Sequence, residues 1–162
     1  HLVITAGKTS PTHFFDISEK RKSISPVYDN YVRCATDPGY QVEREAWQLN
    51  YRPLFMTSFV LDDYVGEGLV ASKQPVKQVI LTSASSKTAY GAAHLLMKHK
   101  KERGLDYQVI GLTSTNNKGF TQDVDCYDQV LSYDEIAELG EDTTSWVLDF
   151  AGNKSLLLNL PQ

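Results

Sequence analysis

The chain has 162 residues, 41% hydrophobic and 22% charged, with a formal net charge of -4. That size suits one soluble domain, which buries roughly 70% of the surface its unfolded chain exposes. A weakly acidic chain with scattered lysines argues against a protein that grips nucleic-acid backbones, so no nucleic-acid partner is expected. No apolar run reaches the ~18 residues that a membrane span needs, and no signal peptide is visible, so no membrane partner is expected and the expected location is cytoplasmic.

Cys34 and Cys126 stand far apart and read as free thiols. No metal-ligand pattern appears: His94 and His99 are five residues apart on one predicted helix, and His1 and His13 are isolated. The chain opens on His1 and ends at Gln162 just after an apolar run, so it is expected to be a piece of a larger protein.

In chain order, His1 to Thr5 reads as a short strand closed by Gly7, Ser10 and Pro11. Phe14 to Ser23 has no clear period. Ser25-Pro26 opens a predicted helix on which Tyr28, Tyr31 and Val32 share a face, and Thr36-Asp37-Pro38-Gly39 ends it. Gln41 to Tyr51 is helical in pattern, and Pro53 is expected to break or restart the helix. Leu54 to Val65 is the most apolar stretch and reads as a buried helix, with loop from Gly66 to Pro75.

Beyond Pro75 the pattern changes to strands alternating with helices. Gln78 to Thr82 is an apolar strand, and Thr88 to Arg103 is an amphipathic helix with Ala89, Ala92, Ala93, Leu95 and Leu96 inward. Lysines near its end suit the negative pole of the helix dipole, and Gly104 stops it. Strands follow at Tyr107 to Leu112, Gln129 to Leu131 and Trp146 to Phe150. Between the last two lies a helix, Tyr133 to Leu139, with a capping box of Ser132 and Glu135. Ser155 to Leu160 is expected to be helical.

The expected fold class is therefore α/β. It is a partial Rossmann-like parallel sheet of about four strands, preceded by a mainly helical N-terminal segment. The predicted strand order is 129–131, 107–112, 78–82, 146–150. The expected division is residues 1–70, leading in, and 71–162, the nucleotide-binding portion.

The stretch that carries chemistry is the turn Ser83-Ala84-Ser85-Ser86-Lys87-Thr88 between the first parallel strand and its helix. Dinucleotide sites place glycines here, for the turn, for the pyrophosphate and for helix packing. This chain instead places Ser83, Ser86 and Ala89 there, three residues apart, all small and none glycine. Lys87 adds a cation where a helix N-terminus already favours anions. The competing reading is a Ser/Thr-rich helix cap that binds nothing.

After the next strand, NAD sites carry an acid for the ribose hydroxyls. Thr113-Ser114-Thr115-Asn116-Asn117-Lys118 has none, and its hydroxyls and lysine suit a 2′-phosphate. NADP(H) is thus the expected cofactor, against an Asn-rich turn that caps a short helix. Asp149-Phe150-Ala151-Gly152-Asn153 ends the fourth strand, on the crevice side of such sheets. Asp149 is read either as a site carboxylate or as a cap for the following helix. A P-loop reading of Ser86-Lys87-Thr88 fails on its glycines, whose places hold Leu81 and Ser86. No nucleophile elbow, paired carboxylates or Tyr-x-x-x-Lys pair is visible, so no catalytic residue is named.

RPLFMTSFVLDDY (52–64), SASSKTAYG (83–91), GLTSTNN (111–117), YDQVLSYDEI (127–136) and LDFAGN (148–153) together resemble the family called domain of unknown function 2855. Its members resemble medium-chain dehydrogenases/reductases of the zinc-free, quinone-reductase-like branch. The resemblance covers most of the chain. It implies a Rossmann cofactor domain set between two parts of a split catalytic domain, with residues 1–70 a remnant of that domain plus connecting helices. It also implies an NADP-dependent, zinc-independent oxidoreductase acting on a small molecule it does not identify. Ser83 to Thr88 would contact pyrophosphate, Thr113, Ser114 and Lys118 the adenosine phosphate, and Ala151-Gly152 the nicotinamide. This chain alone is then expected to be inactive. A non-catalytic nucleotide-binding or interaction module is the alternative from a different class. The edge strand at 146–150 is expected to be paired in a homodimer or else covered by the N-terminal helices.

Overall fold

A computed structural model describes residues 4–140 and 143–160. The chain forms two compact units, one through Leu49 and one from Asn50. In the first, β1 (Ala6–Thr9), β2 (His13–Asp16) and β3 (Asn30–Val32) make an antiparallel sheet in that order. The predicted helix after Pro26 is replaced by a single 3-10 turn, Pro26–Asp29, and then β3. Cross-strand pairing explains this: Tyr31 lies opposite Phe14, and their rings stack at 5.1 Å and 6°. Of the strand predicted at His1 to Thr5, residues 1–3 lie outside the described residues, and Ile4 and Thr5 precede β1. Asp16 is buried. Burial pushes its carboxyl up, but the N–H groups of Ser18 and Thr5 outweigh that and hold it below the usual range.

The helical segment expected before the parallel sheet is α1 (Glu45–Ala71). It runs unbroken through Pro53, where the sequence predicts a break. It is also buried along one stripe only: Ser58, Asp62, Val65, Gly66 and Leu69. Phe55, Met56, Phe59, Val60 and Tyr64 are exposed. The second unit begins at Asn50, not after residue 70, because this stripe packs with the sheet's first helix, α2 (Lys87–Glu102).

That packing joins apolar contacts of Val65 and Leu69 to a set of polar ones. Ser58 Oγ donates to the Thr88 carbonyl at 2.8 Å, and Gly91 leaves the room, since a Cβ there would lie 2.7 Å from Ser58 Oγ. One turn on, Arg103 donates to both Asp62 oxygens at 2.8 Å, and His99 Nδ1 lies 2.8 Å from Asp62 Oδ2.

The parallel sheet comprises β4 (Gln78–Leu81), β5 (Gln108–Thr113), β6 (Gln129–Ser132) and β7 (Ser145–Leu148). Their order is β6-β5-β4-β7, as the sequence predicts. Side chains alternate between faces along each strand. Val79, Leu81 and Val109 join Val65, Leu69, Ala92 and Leu96 on one face. Ile80, Ile110 and Leu112 join Leu131, Leu139 and Leu160 on the other. Truncating Ile110, wholly buried, to alanine would cost about 2–5 kcal/mol. After β5 come a 3-10 turn, Thr115–Asn117, and α3 (Lys118–Asp123). The capped helix predicted after β6 is a 3-10 helix, Tyr133–Glu138, with both capping-box bonds present. After β7 comes α4 (Lys154–Leu158).

Candidate nucleotide-binding crevice

The turn 82–86 leaves the C-terminal end of β4, the end at which open parallel sheets bind ligands. Ser83 sits there at φ +49, in the left-handed region that favours glycine. Ser86 caps α2 through its side chain, which accepts from the Ala89 N–H at 3.4 Å. Ala89 is fully buried, as the third fingerprint position requires for close packing of helix on sheet.

Several turn N–H groups are already committed. Ser83 N–H donates to the Tyr133 hydroxyl at 3.1 Å, Ala84 N–H to the Leu112 carbonyl at 3.0 Å, and Ser86 N–H to the Ser83 carbonyl at 2.8 Å. The N–H groups of Lys87 and Thr88, the first two of α2, have no acceptor among the described residues. Unpaired N–H groups at the N-terminus of a 16-residue helix are able to receive an anion. The Lys87 side chain is exposed, its Nζ 5.8 Å from the centre of the Tyr51 ring.

Two predicted contact residues prove to be framework. Ala84 is buried, its carbonyl accepts from the Tyr127 hydroxyl at 2.9 Å, and its N–H is used. Thr113 is 1% exposed at the end of β5. Gly111 makes the arrangement possible, because a Cβ there would lie 2.9 Å from Ala84 Cβ and 3.0 Å from the Tyr127 ring. Burial pushes the Tyr127 hydroxyl well above its ordinary pKa, so it stays a donor.

Ser114 precedes the 3-10 turn after β5, and Asn117 from that turn donates to Ser85 Oγ at 3.3 Å. Lys118 is not a bare cation. It donates to Glu135 Oε1 at 2.8 Å and Oε2 at 2.6 Å. The lysine, helped by the N–H and hydroxyl of Ser132, holds the Glu135 carboxyl down at about 2. Ala151 and Gly152 follow β7, and both donate backbone N–H groups to Asp149 Oδ1, at 3.0 and 3.1 Å. Asp149 therefore closes its own loop and does not cap α4, which Asn153 caps.

The turn after β4, the turn after β5 and the loop after β7 thus lie along one sheet edge, linked by Ser85–Asn117 and by Thr82. Sequence reasoning missed Thr82, Tyr127, Tyr133 and Glu135. Only Glu135 had a signal, its place in the capping box. Among the described residues, no three His, Cys, Asp or Glu side chains gather as metal ligands, and no helix is long and apolar enough to cross a membrane. A separate cleft of about 330 Å³, lined by Lys77, Gln78, Asp106, Tyr107, Gln108 and Thr143, lies at the opposite end of β4 and β5.

The strand order and the turns along the sheet's C-terminal edge define a Rossmann-like α/β domain with a serine-rich turn after its first parallel strand. The chain belongs to the family described as Protein of unknown function (DUF2855), whose model matches residues 1–162. No curated protein matches. Among solved structures, it is similar to the yhdH oxidoreductase from Salmonella enterica in complex with NADP, at 23% identity and a TM-score of 0.47. The match covers 79% of this chain, which spans 36% of that one.

Proposed function

We propose that this sheet edge binds a nicotinamide dinucleotide, with NADP(H) preferred, and that the chain is the cofactor-binding portion of a zinc-independent oxidoreductase acting on a small molecule. The observation that carries the reading is Ser83 at φ +49, at the head of a turn whose helix offers the Lys87 and Thr88 N–H groups without acceptors. A turn that merely caps a helix has no need of a left-handed serine, which costs roughly 1–2 kcal/mol. The residues fit a pyrophosphate at Ser85 to Thr88 and an adenosine ribose near Ser114 and Asn117. When bound, a nicotinamide accepts or donates a hydride. The protein's part is to hold it, through the turn and the backbone of Ala151 and Gly152.

Titration of the protein with NADPH, followed by nucleotide fluorescence, tests this. Saturable binding that weakens in Lys87→Glu supports the reading. The committed N–H groups of Ser83, Ala84 and Ser86 favour a second reading, a non-catalytic module with a degenerate turn. Absence of saturable binding by NADPH and NADH alike would select it.

A further inference from the structure

In doubly wound sheets the ligand crevice opens where the strand order reverses. Here that point lies between β4 and β7. Two side chains meet across it. Thr82, wholly buried at the end of β4, donates its hydroxyl to Asp149 Oδ1 at 2.6 Å. Thr82 Oγ1 itself accepts from the Phe150 N–H at 2.9 Å and the Ala151 N–H at 3.0 Å. A hydroxyl has one donor and two acceptor sites, so Thr82 uses all of its capacity on the loop after β7. The O–H to carboxylate bond is of the short, charge-assisted kind.

Asp149 and Thr82 do different jobs. Asp149 gives the loop its local shape through the N–H groups of Ala151 and Gly152. Thr82 fastens that shaped loop to β4. Gly152, at φ +63, turns the chain away toward α4.

We infer that Thr82 is a positioning residue for the nicotinamide half of the dinucleotide: it anchors the Ala151–Gly152 backbone at the floor of the crevice. The inference rests on the dinucleotide reading above. Replacing the hydroxyl by a methyl of equal shape leaves the Asp149 bonds to Ala151 and Gly152 in place but removes the three bonds by which the Thr82 side chain holds the loop. The effect should fall on one half of the ligand only, since the phosphate turn and the 114–118 region have their own bonds.

Calorimetric titration of the wild type, Thr82→Val and Thr82→Ser, each with NADPH and with 2′,5′-ADP, tests it. T82V is expected to weaken NADPH about tenfold, as for one charge-assisted hydrogen bond, and to change 2′,5′-ADP less than about twofold. T82S should restore NADPH to within about threefold, because it keeps the hydroxyl. Equal loss for both ligands, no loss for either, or no rescue by serine would overturn the inference. If the wild type binds neither ligand, the dinucleotide reading falls as well. Should T82V fail to fold, Asp149→Asn, which weakens the same bond and keeps the side chain's shape, carries the comparison on the same criteria.

Discussion

Lys118 meets Glu135 through two short bonds, at 2.6 and 2.8 Å, so the cation that follows β5 is already neutralised by a carboxylate from the segment after β6. A 2′-phosphate arriving at Lys118 would have to share it with that carboxylate. Glu135→Gln removes the charge and keeps an acceptor for the Ser132 bonds. NADPH affinity is then expected to rise several-fold against NADH, roughly three- to tenfold. Parallel titrations of both nucleotides check it. An unchanged ratio would place the phosphate elsewhere.

Ser83 carries the backbone strain of the site. Ser83→Gly removes the Cβ that disfavours φ +49 and is expected to stabilise the fold by about 1 kcal/mol, which is about 2–4 °C in thermal midpoint. Calorimetry on the two proteins measures the difference. A lower midpoint for the glycine variant would show that the serine side chain, not only its backbone, holds the turn.

The Asp62 clamp between α1 and α2 is expected to dominate local stability. Removing it in Asp62→Ala leaves Arg103 and His99 without their carboxylate. The expected cost is about 2–3 kcal/mol, below the full range for buried pairs because these partners keep 22% and 20% exposure. Chemical denaturation would show it as a lower midpoint.

Acid should erode two contacts in different windows. Burial pushes the Asp62 carboxyl up, but Arg103 and then His99 outweigh it and hold it below 3.8. Its stabilising effect is complete above 3.8 and fades as pH falls through the lower folded value. Glu135, drawn from 4.5 to about 2 chiefly by Lys118, loses its effect between those two values. Glu135→Gln should therefore flatten the decline in stability between pH 4.5 and 2. Denaturation midpoints measured across that range would reveal an unaltered slope if the pair did not matter.

We further propose self-association through β7. It is an edge strand of the four-stranded sheet, and Val147 on it is 40% exposed. Unpaired edges recruit strands. Light scattering should give twice the monomer mass, and Val147→Pro should abolish it. A monomer at high concentration would argue against this contact.

Much of the second unit was legible in its residues. β-branched runs such as Gln78–Leu81 and Gln108–Thr113 sit between helix and turn signals, and that alternation settles parallel order. The first unit was less legible, because β3 is three residues held by a Phe14–Tyr31 stack that no local pattern announces. Pro53 misled for a different reason: its penalty is local, and the Ser58 and Asp62 contacts just beyond it favour a continuous helix. At the site, the small-residue spacing pointed to the turn in which Ser83 takes a left-handed backbone and Ser86 caps α2. The commitments of Lys118, Ala84 and Thr113 were invisible, since each depends on a partner distant in sequence.

The missing side chain at Gly111 has a reach beyond its own strand. It opens the passage by which the Tyr127 ring crosses β5 to hold the Ala84 carbonyl, so the segment leading into β6 helps to mould the loop after β4. A methyl group at position 111 would be felt first at neither of its chain neighbours but at Ala84, in the turn after β4. Descendant sequences that lose this glycine should have to rebuild both ends of that bridge together.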